Sequence, residues 1–363
     1  MQIRKIIKYR FSIIITLLIF GCTIPNNNNS LVKAYITLQG VDKVAVIDVR
    51  ARKVIKTIDV DFIDTGDRPH YVVIDKSNGY WYVTLISSGY ILKFDLERDE
   101  FIDSVRIGNM PALMALDEPN QILYISRFMP MPSMGMVGSN ASIIDIIDAS
   151  NMKAIGKIDV GASSPHGIAL SSDGKKLWVA SNEASHFFEI EISRLREEGY
   201  QPRNFKIGLD VPDSYNINDM IYNALELELN KKDSKLFITC SGSNEVRIFD
   251  TSSGEIITKF FLNKQPWHIA LSNDNKSLFT TNRGGQSVSK INLETESIEE
   301  VSDSLLQMPH GCALIPDESE LIVSAAGGNR VLVVDTKSMK ILDIINFDTQ
   351  MSMPTGIAIY EKN

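Results

Sequence analysis

The chain has 363 residues, enough for a large core in one or two domains. An apolar fraction of 44% excludes a disordered chain and a multi-span membrane protein. The formal net charge of −8 argues against a nucleic-acid partner, because such binding rests on Lys and Arg neutralising phosphates.

The N-terminus reads as an export signal over residues 1–21. Arg4, Lys5, Lys8 and Arg10 make a basic start with no acidic residue. Phe11 to Gly21 is an apolar run too short to span a bilayer comfortably. Leu18-Ile19-Phe20-Gly21-Cys22 follows the pattern of a bacterial lipobox, with Phe20 bulkier than the pattern prefers. Cys22 is therefore the expected lipidation site, and an uncleaved anchor is the alternative. Residues 22–30 contain a run of asparagines and read as a polar tether.

From residue 31 one sentence of sequence recurs. Pro165-His-Gly-Ile-Ala-Leu, the turn Ser171-Ser-Asp-Gly174, and Leu177-Trp-Val-Ala-Ser-Asn182 predict two short strands and a tight turn. Equivalent openings stand at Pro69, Pro111, Ala224, Pro266 and Pro309, spaced by roughly 42 to 59 residues, in the range of propeller blades. Second strands such as Tyr82-Val-Thr-Leu85 and Phe237-Ile-Thr-Cys240 number seven. So do third strands such as Val44-Ala-Val-Ile-Asp48 and Val331-Leu-Val-Val-Asp335. Asp48, Asp95, Asp148, Asp250 and Asp335 end third strands, which predicts Asx-type turns into a fourth strand and no acid chemistry.

A seventh first strand exists only at Pro354 to Ile359, with no second strand after it. Residues 32–68 supply second, third and fourth strands with no first strand before them. Pairing the two ends closes a ring and removes the open sheet edges. The predicted fold is all-β, a single seven-bladed β-propeller over residues 31–363.

The words Tyr82-Val-Thr84 and Trp178-Val-Ala-Ser-Asn182, with the Pro-His-Gly-Ile-Ala-Leu opening and its Asp-Gly turn, resemble the YVTN family of seven-bladed propellers. The resemblance covers nearly everything after Ser30 and implies an exported bacterial lipoprotein. Relatives of this type include surface and periplasmic lipoproteins, lactonase-like enzymes and copper- or haem-holding propellers. The fold carries none of those activities over by itself.

Two repeats are interrupted. A Met-rich loop at Phe128 to Met136 and a long connection at Leu209 to Asn223 should lie over one mouth of the central channel. His70, His166 and His310 share one repeat position on the channel-lining first strands. His268 comes one residue later and is expected on the opposite side of its strand. Met110, Met308 and Met353 precede opening residues at the same face. Imidazole and thioether together suit copper, so His70, His166 and His310 form a candidate metal set, against a bland reading of local packing. Arg68, Arg127 and Arg283 end near this face and could clamp a carboxylate or phosphate; with His166, Trp267 and His268 they form the candidate ligand set. Cys240 and Cys312 belong to separate repeats and are expected as buried free thiols. No nucleophile motif, phosphate-cradling loop or paired-Cys metal site is present.

The function expected from the sequence is a lipid-anchored, non-enzymatic binding scaffold of the cell envelope, periplasmic or surface-exposed. A partner protein or small ligand is expected at the channel mouth. The alternatives are a copper or redox protein and a lactonase-like enzyme.

Overall fold

The computed structural model describes residues 30–63, 66–108, 110–127, 142–211 and 221–362. Cys22 and the Met-rich loop lie outside them. Strands β1 (Leu31–Leu38), β2 (Lys43–Asp48) and β3 (Lys53–Asp59) open the chain. Blade 1 holds β4 (Pro69–Asp75), β5 (Tyr80–Leu85), β6 (Tyr90–Asp95) and β7 (Phe101–Arg106). Blade 2 holds β8 (Pro111–Asp117), β9 (Ile122–Arg127), β10 (Ile143–Asp148) and β11 (Lys153–Asp159). Blade 3 holds β12 (Pro165–Leu170), β13 (Lys176–Ser181), β14 (His186–Glu191) and β15 (Arg203–Lys206). Blade 4 holds β16 (Ala224–Leu229), β17 (Lys235–Cys240), β18 (Glu245–Asp250) and β19 (Glu255–Phe261). Blade 5 holds β20 (Pro266–Leu271), β21 (Ser277–Asn282), β22 (Ser287–Asn292) and β23 (Ile298–Ser302). Blade 6 holds β24 (Pro309–Leu314), β25 (Glu320–Ala325), β26 (Arg330–Asp335) and β27 (Ile341–Asn346), and β28 (Pro354–Lys362) ends the chain.

The seven sheets are four-stranded, and the seventh has the order β28-β1-β2-β3, so the predicted ring closure is present. Its register runs from Leu31 opposite Lys362 to Leu38 opposite Pro354. The predicted Asx turns are also present: Ala51, Arg98, Ser150, Ser253 and Ser338 donate backbone N–H groups to Asp48, Asp95, Asp148, Asp250 and Asp335. Gly174 takes φ +68° in the predicted hairpin turn.

Apolar side chains fill the wedges between blades. Trp178, Phe187, Phe205 and Phe249 pack together between blades 3 and 4. Tyr35 and Trp81 do the same between the closing blade and blade 1. Burial of a large apolar side chain contributes ~1.5–3 kcal/mol, so the blade interfaces dominate stability. Cys240 and Cys312 are buried free thiols, as expected.

Two backbone features recur in every blade and shape the channel. The residue before each first strand is left-handed: Arg68, Met110, Ser164, Asn223, Gln265, Met308 and Met353 have φ between 46° and 58°. Each first strand then carries a bulge just inside its start, as between Pro266 and Ile269 or Pro165 and Ile168. The N–H of the bulged residue is taken by a second-strand hydroxyl. Thr37, Thr84, Ser126, Thr239, Thr281 and Ser324 accept from Gly356, Tyr71, Leu113, Glu226, His268 and Gly311. Most of these hydroxyls then donate to the next blade: Thr84 to the Ala112 carbonyl, Thr239 to Trp267, Thr281 to His310 and Ser324 to Thr355. One small side chain thus fixes the bulge and ties neighbouring blades at the axis.

First strands approach so closely there that some bulges admit only glycine. A Cβ on Gly356 would stand 2.6 Å from the His70 carbonyl oxygen, and one on Gly167 would stand 2.7 Å from that of Leu225.

Candidate ligand site at the mouth of the channel

The bulge places two successive residues of each first strand opposite one residue of the second strand, which breaks the alternation of side chains. This corrects the sequence-based expectation for His268. It joins the channel cluster instead of facing away, with its ring centroid 4.8 Å from that of His310 and 6.4 Å from that of His166. His70 lies 5.3 Å from His310 and 6.2 Å from His166. Four imidazoles from blades 1, 3, 5 and 6 therefore meet at the axis, and all four are buried.

Sequence reasoning missed three residues of the same cluster. Glu226 occupies in blade 4 the bulge position that His268 occupies in blade 5, and its Oε2 lies 2.9 Å from His268 Nδ1. The same carboxylate oxygen accepts the Ile269 N–H at 2.7 Å. Glu228, two residues on and part-buried, accepts the Leu271 N–H at 3.4 Å. Tyr71, at the bulge of blade 1, stacks on His268 with ring planes 15° apart. The shared repeat position of Tyr71, Glu226 and His268 was the available signal; without the bulge it read as the outer side of the strand.

Burial sets the protonation of the site. Loss of solvent holds His70 and His310 well below the ordinary imidazole range, with neighbouring imidazoles and the Arg283 charge acting in the same direction. His166 is pushed down to about 3 by burial and then by His268, against the Leu225 carbonyl that pulls it up. Glu228 is pushed up to about 8 by burial and by the Glu226 carboxylate beside it. Burial first, then Glu226 and Glu228, raises the Tyr71 hydroxyl and the Cys312 thiol.

The arginines have different surroundings. Arg127 is buried and bound to Asp145 at 2.5 Å, which occupies it structurally. Arg68 is exposed at the rim. Arg283, in the turn after β21, places its guanidinium carbon 4.8 Å from the centre of the Trp267 ring. Trp267 in turn lies 5.9 Å from His310. Arg283, Trp267, His310 and His268 thus form one continuous contact path from the mouth into the channel. Four buried nitrogens on that path have no hydrogen-bond partner among the described residues: Arg283 Nη1, Trp267 Nε1, His310 Nδ1 and His268 Nε2.

Of the loops expected over this mouth, the connection from Leu209 is described only at its ends. There Tyr222 donates its hydroxyl to Asp210 at 2.6 Å and Ile221 its N–H to Ser185. Met110 is buried, and Met308 is partly exposed. His70, His166 and His310 are brought into ring contact, yet among the described residues no three His, Cys, Asp or Glu side chains are placed to hold one metal ion. No helix among the described residues is long and apolar enough to cross a membrane.

No protein-family model matches the chain. Antigen Lp49 of Leptospira interrogans is 21% identical over 271 residues, covering 70% of this chain and 54% of that protein. The chain thus spans about half the length of that curated relative. Among solved structures, a functionally unknown protein from Desulfotomaculum acetoxidans is similar with a TM-score of 0.68 and 14% identity, over 91% of this chain and 99% of that one. A putative 6-phosphogluconolactonase from Bacteroides fragilis is similar with a TM-score of 0.67 and 13% identity, over 93% of this chain and 100% of that one. At these identities the likeness carries the propeller fold and no activity.

Proposed function

We propose that the protein is an exported, lipid-anchored propeller lipoprotein of YVTN type, a non-enzymatic scaffold that binds a ligand or partner at the channel mouth. The observation that carries this reading is the path of four buried nitrogens, on Arg283, Trp267, His310 and His268, without a hydrogen-bond partner among the described residues. Buried polar groups are satisfied in folded proteins, so such a cluster points to groups supplied from beyond the described residues. The weak similarity to an antigen accords with a place in the cell envelope. The test is native mass spectrometry of the protein after incubation with a small-molecule extract or with envelope proteins. Retention of a species by the wild type, lost in Trp267→Ala and His310→Ala, is the expected result. Equal retention by all three proteins would remove the mouth as the site.

A second reading rests on the ring contacts of His70 with both His166 and His310. Imidazole is a good copper ligand, and these rings would have to turn to share one ion. Copper titration of the wild type against a His166→Ala, His310→Ala double variant under reducing conditions tests it; equal uptake by both proteins, or none by either, excludes it.

A further inference from the structure

The chemistry of the mouth defines a narrower class of ligand. Arg283 is fixed by its backbone: its N–H donates to the Gln265 carbonyl at 2.8 Å, and the following Gly284 donates to Lys264 at 3.1 Å. The next turn is packed tightly, because a Cβ on Gly284 would stand 2.8 Å from Gln265 Oε1 and one on Gly285 2.6 Å from the Asn263 side chain. The guanidinium carbon lies over the Trp267 ring, and this cation–π contact holds the charged fork beside the indole. No carboxylate pairs with it among the described residues. Arg127, three blades earlier in the chain, is by contrast neutralised by Asp145. A partly buried cation with no carboxylate partner among the described residues is costly unless something beyond them compensates it.

The groups around it are donors. Trp267 Nε1 can only donate, and His310 is kept neutral, so one of its nitrogens carries a proton. Of the two acids in the cluster, Glu226 is already engaged by His268 and the Ile269 N–H, and Glu228 accepts the Leu271 N–H. A fork of N–H groups, an indole N–H and an imidazole along one contact path suit an oxyanion far better than a cation.

We propose that the channel mouth binds the carboxylate or phosphate group of a small molecule through Arg283, Trp267 and His310. The proposal rests on the mouth being a ligand site at all. The experiment titrates the full chain separately with malonate and inorganic phosphate at constant ionic strength. It follows tryptophan fluorescence, since Trp81 and Trp178 are fully buried and Trp267 alone is positioned to report. A saturable change with either anion is expected, and the one that acts identifies the group. In Arg283→Gln the apparent affinity should fall at least tenfold. In Arg283→Lys, which keeps the charge and loses the fork, it should fall several-fold. Lys232→Gln, in the exposed turn after β16 and outside the candidate ligand set, should match the wild type. Equal affinity in the wild type and Arg283→Gln, or no saturable response to either anion, overturns the anion site. If the extract experiment still shows retention sensitive to Trp267 and His310, the mouth binds a different class of ligand; if that is negative too, the scaffold reading fails with it.

Discussion

His166 Nδ1 lies 3.0 Å from the carbonyl oxygen of Leu225 in the next blade. Elsewhere in the ring a second-strand hydroxyl reaches the equivalent carbonyl, as Thr239 reaches Trp267 and Thr281 reaches His310. Blade 3 has Ala180 where those blades have a hydroxyl, and the imidazole takes over the bond. The donor must be Nδ1–H, which leaves Nε2 as the lone-pair nitrogen.

That exchange is testable by a double-mutant cycle. His166→Ala should cost ~1–3 kcal/mol by leaving the Leu225 carbonyl unsatisfied, and Ala180→Ser in the same chain should recover a large part of it. Urea unfolding measures both. Independent, additive effects would show that the hydroxyl and the imidazole do not serve the same carbonyl.

The buried cluster predicts a stability optimum near pH 6.5. His70, His166 and His310 have depressed folded-state values, so below about 6.5 the unfolded chain binds protons that the folded chain does not, and stability falls as pH falls. The slope is ~1 kcal/mol per pH unit for each histidine. Glu228 acts in the opposite sense: raised to about 8, it keeps its proton in the folded state only, and stability falls as pH rises towards 8. Urea midpoints between pH 5 and 9 should pass through a maximum. Glu228→Gln should flatten the alkaline limb, and His70→Gln with His310→Gln the acidic limb.

Arg127 and Asp145 form a buried pair in which burial raises the Asp145 carboxyl while Arg127 lowers it. Arg127→Met should destabilise by ~3–5 kcal/mol, because it leaves a buried charge uncompensated. Arg127→Met with Asp145→Leu should recover most of the loss. A small effect of the single change, measured by denaturant unfolding, would mean that solvent reaches the pair.

Removing residues 354–363 takes away β28, exposes the inner edge of β1, and removes the bonds from Gly356 N–H to Thr37 and from the Thr355 hydroxyl to the His70 carbonyl. The shortened chain should melt far below the full chain and aggregate on heating. An unchanged melting temperature would show that the other six blades hold the ring by themselves.

The anchor prediction concerns Cys22. Cys22→Ser should move the protein from the membrane fraction to the soluble fraction. Retention in the membrane would identify the N-terminal run as an uncleaved anchor.

Repeat spacing made the seven blades and their closure legible in the sequence. Each blade buries its faces against its neighbours, and that demand imprints the same alternation of apolar residues at every copy, from Val44-Ala-Val-Ile to Val331-Leu-Val-Val. The convergence of His70, His166 and His310 was legible for the same reason, since equal repeat positions face one axis. The partners of His268 were decided by the tertiary structure. A bulge adds one residue to the first strand; glycine marks it at Gly167, Gly311 and Gly356, but in blades 4 and 5 the same position is Glu226 and His268, which the bulge turns into the channel that simple alternation would have denied them. The difference between Arg127 and Arg283 was settled in the same way: the two look alike in sequence, and only packing gives one an aspartate and the other a tryptophan.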